Sequence, residues 1–367
     1  MRQSPLRDVL AARRATFGEQ AGAEVARSFG SFEQEYSAVR EAVGLTDFSF
    51  ASRFRVPESG LDALERYAAG SVANIRFGRV LHTLAADEEG FVEADLYIAN
   101  DDEHFLLIGE GLVGNEATQD ALRKLGGADA AIEDLSNKTA LIGIDGYKAW
   151  AVAKELFGAD VLGLPYLSLE TYQLDGLEIK LMRSGKTSEF GYLLLVPSAD
   201  ARGVWERIER SGAPFGLKCV GFDAHSALRL DGRFFNIHAE GRAVRDPLAL
   251  GLQWMIDFGG EDFCGKGSIL ARRSAGLKKK IIGVIPAAGS AADLKPGTRL
   301  RHNGADVARM VTSALSPVLQ QRIGLALFDV EYAYSGLEFE DERGDLVHTV
   351  SMPPFTPKSL TVKLDEI

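Results

Sequence analysis

The chain changes rhythm once. Up to about residue 270 helical and strand patterns alternate, and after a basic stretch at 270–280, which carries Arg272, Arg273 and three successive lysines, only short strands follow. The stretch is expected to be an exposed connector, since charges packed this closely stay solvated. Beyond it, segments 280–285, 299–301, 308–312, 323–327 and 346–351 are apolar runs separated by glycine, proline and Asn-Gly turns, which read as a small all-β domain. Before it, apolar spacing predicts helices at 5–15, 31–43, 60–69, 115–125, 147–157 and 201–211, with Gly44 ending the second. Strands are expected at 54–56, 80–84, 91–98, 104–108, 138–144, 177–183 and 192–196. Helices and strands mixed at these lengths give an α+β layering. A chain of 367 residues exceeds what one core supports, so two or three domains are expected.

The formal net charge of −11 argues against a nonspecific nucleic-acid binder, because phosphate neutralisation needs a basic face. The two cysteines, Cys219 and Cys264, lie at no zinc-ligand spacing and have no further partners for a disulfide framework. No metal site is expected. The start of the chain lacks an apolar leader and no later segment is long and apolar enough for a membrane, so a cytoplasmic protein without a membrane partner is expected.

The segment from Arg183 runs Ser-Gly-Lys-Thr-Ser-Glu-Phe-Gly-Tyr-Leu, a polar glycine-bearing turn entering an apolar strand. It resembles a folate-pocket motif of the aminomethyltransferase family (the glycine-cleavage T-protein and its tetrahydrofolate-dependent demethylase relatives), Arg-Thr-Gly-Tyr-Thr-Gly-Glu-x-Gly-Tyr-Glu. Arg183, Gly185, Thr187, Glu189, Gly191 and Tyr192 match it. Further segments are similar in the same order: Val-Gly-Leu-Thr-Asp-Phe-Ser from Val43, Gly-Phe-Val-Glu-Ala-Asp-Leu from Gly90, Ala-Leu-Arg-Leu-Asp-Gly from Ala227, Pro-Leu-Ala-Leu-Gly-Leu-Gln-Trp from Pro247, Asp-Phe-Cys-Gly-Lys from Asp262, and Val-Thr-Ser-Ala-Leu-Ser-Pro-Val-Leu from Val311.

This resemblance implies a three-domain cloverleaf with a central hole: a first α+β lobe from 1–50 with 138–225, a second from 51–137 with 226–275, and a C-terminal β-barrel domain at 276–367. It implies a one-carbon transferase or demethylase that moves a methyl or aminomethyl group from a small donor to tetrahydrofolate. A lipoyl carrier protein is not expected as partner. The alternatives are a non-catalytic binding or regulatory protein that has lost folate chemistry, and an enzyme with a different flat ligand. Three positions motivate those alternatives. Leu193 stands at the family's pterin-binding Glu, His225 at its Arg, and Leu360 at its C-terminal Tyr. Losing the carboxylate leaves the donors of an aminopyrimidine edge unpaired, at about 1–3 kcal/mol each.

Transfer chemistry needs a carboxylate near the reacting carbon. Asp95 or Glu93 would supply it, depending on register, and on a regular strand the two share a face. Glu189, Tyr192, His225, Arg183 and Trp254 would line the cofactor pocket. Each has a plainer reading: Glu189 pins its own turn, Tyr192 and Trp254 pack in the core, Arg183 and Arg229 hold ion pairs, and His225 sits on a helix face. His238 is a lone loop histidine. Gly109-Glu-Gly-Leu-Val-Gly114 has dinucleotide-motif spacing, but Glu110 would repel a pyrophosphate and no repeated βαβ unit surrounds it. It reads as a strand-to-helix turn.

Overall fold

The structure, a computed structural model, describes residues 1–126 and 131–364. It is an α+β fold with a closed barrel near the C-terminus, the class expected from sequence. One mixed sheet has six strands in the order Ser168–Leu174, Leu177–Arg183, Gly191–Pro197, Thr139–Asp145, Val43–Asp47 and Leu217–Cys219. A second has five, in the order Val80–Ala86, Val92–Asp101, His104–Gly111, Ser52–Pro57 and Glu133–Asp134. The barrel closes through Lys279–Pro286, Gln321–Asp329, Ala305–Ser316, Arg299–His302, Glu338–Glu340 and Leu346–Val350. Closure removes the free edges that so short a set of strands would otherwise expose.

The alternation of each strand sends side chains to two faces, and here both faces are covered. On its outer face the six-stranded sheet packs Ile142, Ile144, Leu181, Leu194 and Val196 against Val152, Leu156, Trp205 and Ile208 of helices Ala149–Phe157 and Ala201–Gly212. The five-stranded sheet buries Leu96, Ile98 and Leu107 against Leu64 and Leu122 of helices Leu61–Tyr67 and Asn115–Gly126. The two inner faces meet through Tyr97, Ile108, Leu141, Met182 and Leu195, with Phe48, Phe50 and Ala51 from the connection between the sheets. Whatever polar group the sequence puts on those inner faces is therefore placed between the two sheets.

Helix Phe32–Glu41 begins at Ser31, whose Oγ accepts from the Gln34 amide at 3.3 Å, with Glu33 and Glu35 in its first turn and Arg40 in its last. It lays Tyr36 and Val39 on Ala224, Ala227 and Leu228 of helix Phe222–Asp231.

Several local expectations change. Gly44 does not end a helix; it lies inside strand Val43–Asp47, where a Cβ would come within 2.6 Å of Val39 and 2.8 Å of Val220. The strand is pressed against the helix before it, and only hydrogen fits. The basic stretch at 270–280 is exposed at most positions, as expected, but much of it is regular structure, shared by helix Lys266–Ser274 and strand Lys279–Pro286. Arg272 donates to the Glu89 and Gly90 carbonyls at 2.6 and 2.5 Å, and the Arg273 guanidinium lies 4.1 Å from the Phe258 ring centre, so these charges serve packing. The hairpin Thr16–Gln20 and Ala23–Ser28 and the strand Ser168–Leu174 were not read from the sequence.

Candidate functional site

Strands Val92–Asp101 and His104–Gly111 join through a two-residue turn, and that register makes Asp95 and Glu110 direct cross-strand partners. Both carboxylates are buried on the inner face. Like charges set opposite each other oppose pairing unless a cation lies between them. Lys186 supplies one, with Nζ 2.5 Å from Asp95 Oδ2 and 2.9 Å from Glu110 Oε1. Arg229 supplies the second, donating from Nη1 to Glu110 Oε2 at 2.7 Å and lying 3.4 Å from Asp95 Oδ2 through Nη2. His82 Nε2 completes the set, 2.7 Å from Asp95 Oδ1, with its ring against Tyr97.

Burial works against ionisation of Asp95, but Lys186 and then His82 outweigh it and hold the carboxyl down at about 2. Glu110 follows the same logic: burial pushes it up, and Arg229 with Lys186 holds it well below the usual carboxylate range. His238 stands beside it, with Nε2 3.7 Å from Glu110 Oε2 and Nδ1 2.8 Å from Gln20 Nε2. Burial lowers its imidazolium to about 4 despite the glutamate, so the ring is neutral near pH 7.

Lys186 reaches this place because its loop is clamped at several points. The loop joins strands Leu177–Arg183 and Gly191–Pro197. Glu189 at its far end accepts from the Ser359 amide and hydroxyl at 2.9 and 2.5 Å and pairs with Arg40 at 3.3 Å. Arg40 also donates to the Thr187 carbonyl, and Ser188 Oγ to the Gly232 carbonyl at 3.0 Å. At the loop's base a Cβ on Gly191 would come within 2.6 Å of Gly185 Cα, so both ends must be bare for the chain to close. Arg40 is fixed in turn by Asp231 at 2.5 Å, which Tyr36 and the barrel's Ser316 also hydrogen-bond.

Beside the ion cluster lies a cavity of about 30 Å³, lined among others by Phe48, Tyr97, Asp145, Ser184, Leu193 and His225. Leu193, which stands where the family motif carries its pterin-binding Glu, is part of that lining. Glu110 is shared with a larger cavity of about 550 Å³, lined also by Met1, Phe50, Asn115 and His238. Glu110 and its partners thus form a wall between the two spaces.

Of the residues expected at the site, Asp95 and His225 line the small cavity. Glu93 does not. A bulge where Ala85 and Ala86 face Ala94 and Val92 displaces it from the ladder, and its half-exposed carboxylate lies 3.8 Å from Arg245. The shared face that regular alternation would give is lost to that one extra residue. Glu189 pins the loop from outside the cavity, and Tyr192 is fully buried in the outer core of its sheet. Arg183 donates to the Leu164 carbonyl. Trp254 is 63% exposed, with its ring edge toward His82 at 5.2 Å, so it is neither core nor cavity wall. Leu360 is 75% exposed in the segment that carries Ser359. Lys186, Glu110, His82 and Asp145 were missed. Lys186 stands where the family motif has tyrosine, a signal in the sequence, beside Leu193 and His225, that the cavity's charge had changed. Among the described residues no group of acid, histidine and cysteine side chains has a metal-binding arrangement, and no helix is long and apolar enough to cross a membrane.

Comparison with known proteins agrees with the architecture. Residues 6–260 match the family model described as the GCVT N-terminal domain. An aminomethyltransferase of Geobacillus thermodenitrificans is 30% identical over 366 residues, covering 97% of this chain and 98% of its own. One from Saccharopolyspora erythraea is 30% identical over 362 residues, covering 96% and 97%. The crystal structure of glycine cleavage system aminomethyltransferase T from Bartonella henselae superposes with a TM-score of 0.82 at 21% identity, covering 97% of this chain and 98% of that one, which shows the shared fold. With the family model spanning most of the chain and relatives matching end to end, this chain belongs to the aminomethyltransferase family.

Proposed function

We propose that this protein uses the aminomethyltransferase scaffold to bind a small polar molecule between its two sheets, and that it does not seat tetrahydrofolate in the deep position. The observation that carries the reading is the Lys186 ammonium inserted between Asp95 and Glu110, beside a cavity of about 30 Å³. A carboxylate that stabilises a developing cation must keep its field available to the reacting group. Here the Oδ2 of Asp95 is taken by Lys186 at 2.5 Å and its Oδ1 by His82 at 2.7 Å. Leu193 and His225 at the family's Glu and Arg positions argue in the same direction.

Folate-dependent one-carbon transfer from a small donor is the second reading. It is favoured by Asp95 itself, an ionised carboxylate buried at the cavity wall. It requires Lys186 to withdraw. Titration of the purified protein with tetrahydrofolate, followed by tryptophan fluorescence and calorimetry, separates the two: no saturation is expected at about 1 mM, a limit set by a binding free energy of about −4 kcal/mol. Micromolar binding that Asp95→Asn leaves intact while abolishing methyl transfer would sink the small-ligand reading.

A further inference from the structure

The ion cluster leaves one acid out. Around the cavity stand three carboxylates, Asp95, Glu110 and Asp145, and two fixed cations, Lys186 and Arg229, both already committed to the first two acids. Asp145 is 3% exposed at the end of strand Thr139–Asp145. Among the described residues its nearest basic atom is His225 Nε2, at 3.8 Å, beyond hydrogen-bond distance, and no other described side chain hydrogen-bonds it. The same small cavity is lined by three more buried residues with unpartnered polar atoms: His225 Nε2, Ser184 Oγ and Tyr97 Oη. A Cβ on Gly185 or Gly191 would come within 3.0 or 2.7 Å of Asp145 Oδ1, so bare backbone is what keeps that oxygen uncovered.

We propose that Asp145, with His225 beside it, is the receptor for the N–H end of a small organic cation, an ammonium or an amidinium, held between the two sheets. A buried carboxylate without a cation or a set of donors is strongly unfavourable, and the protein's own cations are engaged elsewhere. A ligand N–H group supplies both the charge and the donor. Ser184 Oγ and Tyr97 Oη accept or donate the remaining bonds, while Phe48, Ile108, Leu141 and Leu193 exclude water from the apolar side. Asp145 faces Gly191 in the ladder, two residues along from Leu193 on the same face, so the recognising acid has moved one strand over from the position where the family motif carries it.

The inference rests on the small-ligand reading above and is tested separately from it. Methylammonium chloride, methylguanidinium chloride and sodium acetate are titrated into wild type and Asp145→Asn at constant ionic strength. At least one of the two cations is expected to saturate the wild type in the low millimolar range, with acetate failing to compete. The Asn variant should weaken that binding about 10- to 100-fold, the loss typical of a charge-assisted hydrogen bond. It should also melt at or above the wild-type temperature, since it removes a buried charge, which separates lost binding from lost folding. His225→Gln, which keeps a polar group, should weaken binding less. Neither cation saturating at about 50 mM, equal affinity in Asp145→Asn, or tighter binding of acetate overturns the proposal. Tetrahydrofolate saturating the wild type would overturn the small-ligand reading, whereas cation binding indifferent to Asp145 overturns only this one.

Discussion

Replacing Lys186 by methionine keeps most of the unbranched stem and removes the charged end. In the wild type, Nζ lies 2.5 Å from Asp95 and 2.9 Å from Glu110. At an effective dielectric of about 20 each contact represents roughly 6 kcal/mol of gross Coulomb attraction. Most of that is offset by the cost of dehydrating the ammonium, so the expected net loss is the about 3–5 kcal/mol found when one member of a buried ion cluster is removed. The loss should depend on pH in a definite direction. With Lys186 present, Asp95 titrates at about 2, below its ordinary value, so its contribution is complete at neutral pH and fades only as pH falls from about 4 toward 2. Without Lys186, two facing carboxylates share Arg229, and one of them is pushed above its unfolded value. That raised group favours the fold of the variant at low pH and disfavours it as pH rises through the new value. The gap between Lys186→Met and wild type should therefore be widest at about pH 7.5 and shrink toward about pH 5. Urea unfolding at a series of pH values reads it. A variant as stable as wild type at neutral pH, or a gap that stays constant on acidification, would refute the account of Lys186 as the ion holding the two acids together.

Other perturbations test the surrounding supports. His238 is lowered to about 4 by burial while the unfolded chain titrates near its ordinary 6.5. The unfolded state therefore binds the proton first, and stability should rise by roughly 3 kcal/mol between pH 4 and 6.5. His238→Gln should flatten that part of the urea-midpoint profile, and parallel profiles would remove His238 as its source. Asp231→Ala leaves Arg40 buried without its 2.5 Å partner, and a loss of about 3–5 kcal/mol is expected in chemical denaturation. Because Arg40 also holds the Lys186 loop through Thr187 and Glu189, hydrogen exchange in that loop should quicken in the same variant. Unchanged exchange there would mean that the loop is fixed without Arg40.

The clamped loop links the local chemistry to the global fold. Its anchors come from helix Phe32–Glu41, helix Phe222–Asp231 and the segment beyond the barrel that holds Ser359. Glu189, expected either to pin its turn or to touch a ligand, has its carboxylate bound instead by Arg40 and by Ser359 from the distant C-terminal segment. Its effect on the cavity is indirect, through where it sets Lys186.

The motifs in their shared order, the strand and helix periods and the change of rhythm near residue 270 were enough to give the α+β class and the terminal barrel, because those depend on which residues must be buried and on the turns between them. Part of the site was within reach in the same way. His225 and Arg229 are four apart on one helix and share a face. A two-residue turn after Asp101 fixes Asp95 opposite Glu110 by counting. Other features were beyond local reasoning: the bulge that turns Glu93 away, the exposure of Trp254, and the isolation of Asp145 from every protein donor within hydrogen-bond reach. Each depends on which groups from distant segments meet across the two sheets. Periodicity determines which side of a strand a carboxylate occupies, and only the packed chain decides whether a cation is waiting there.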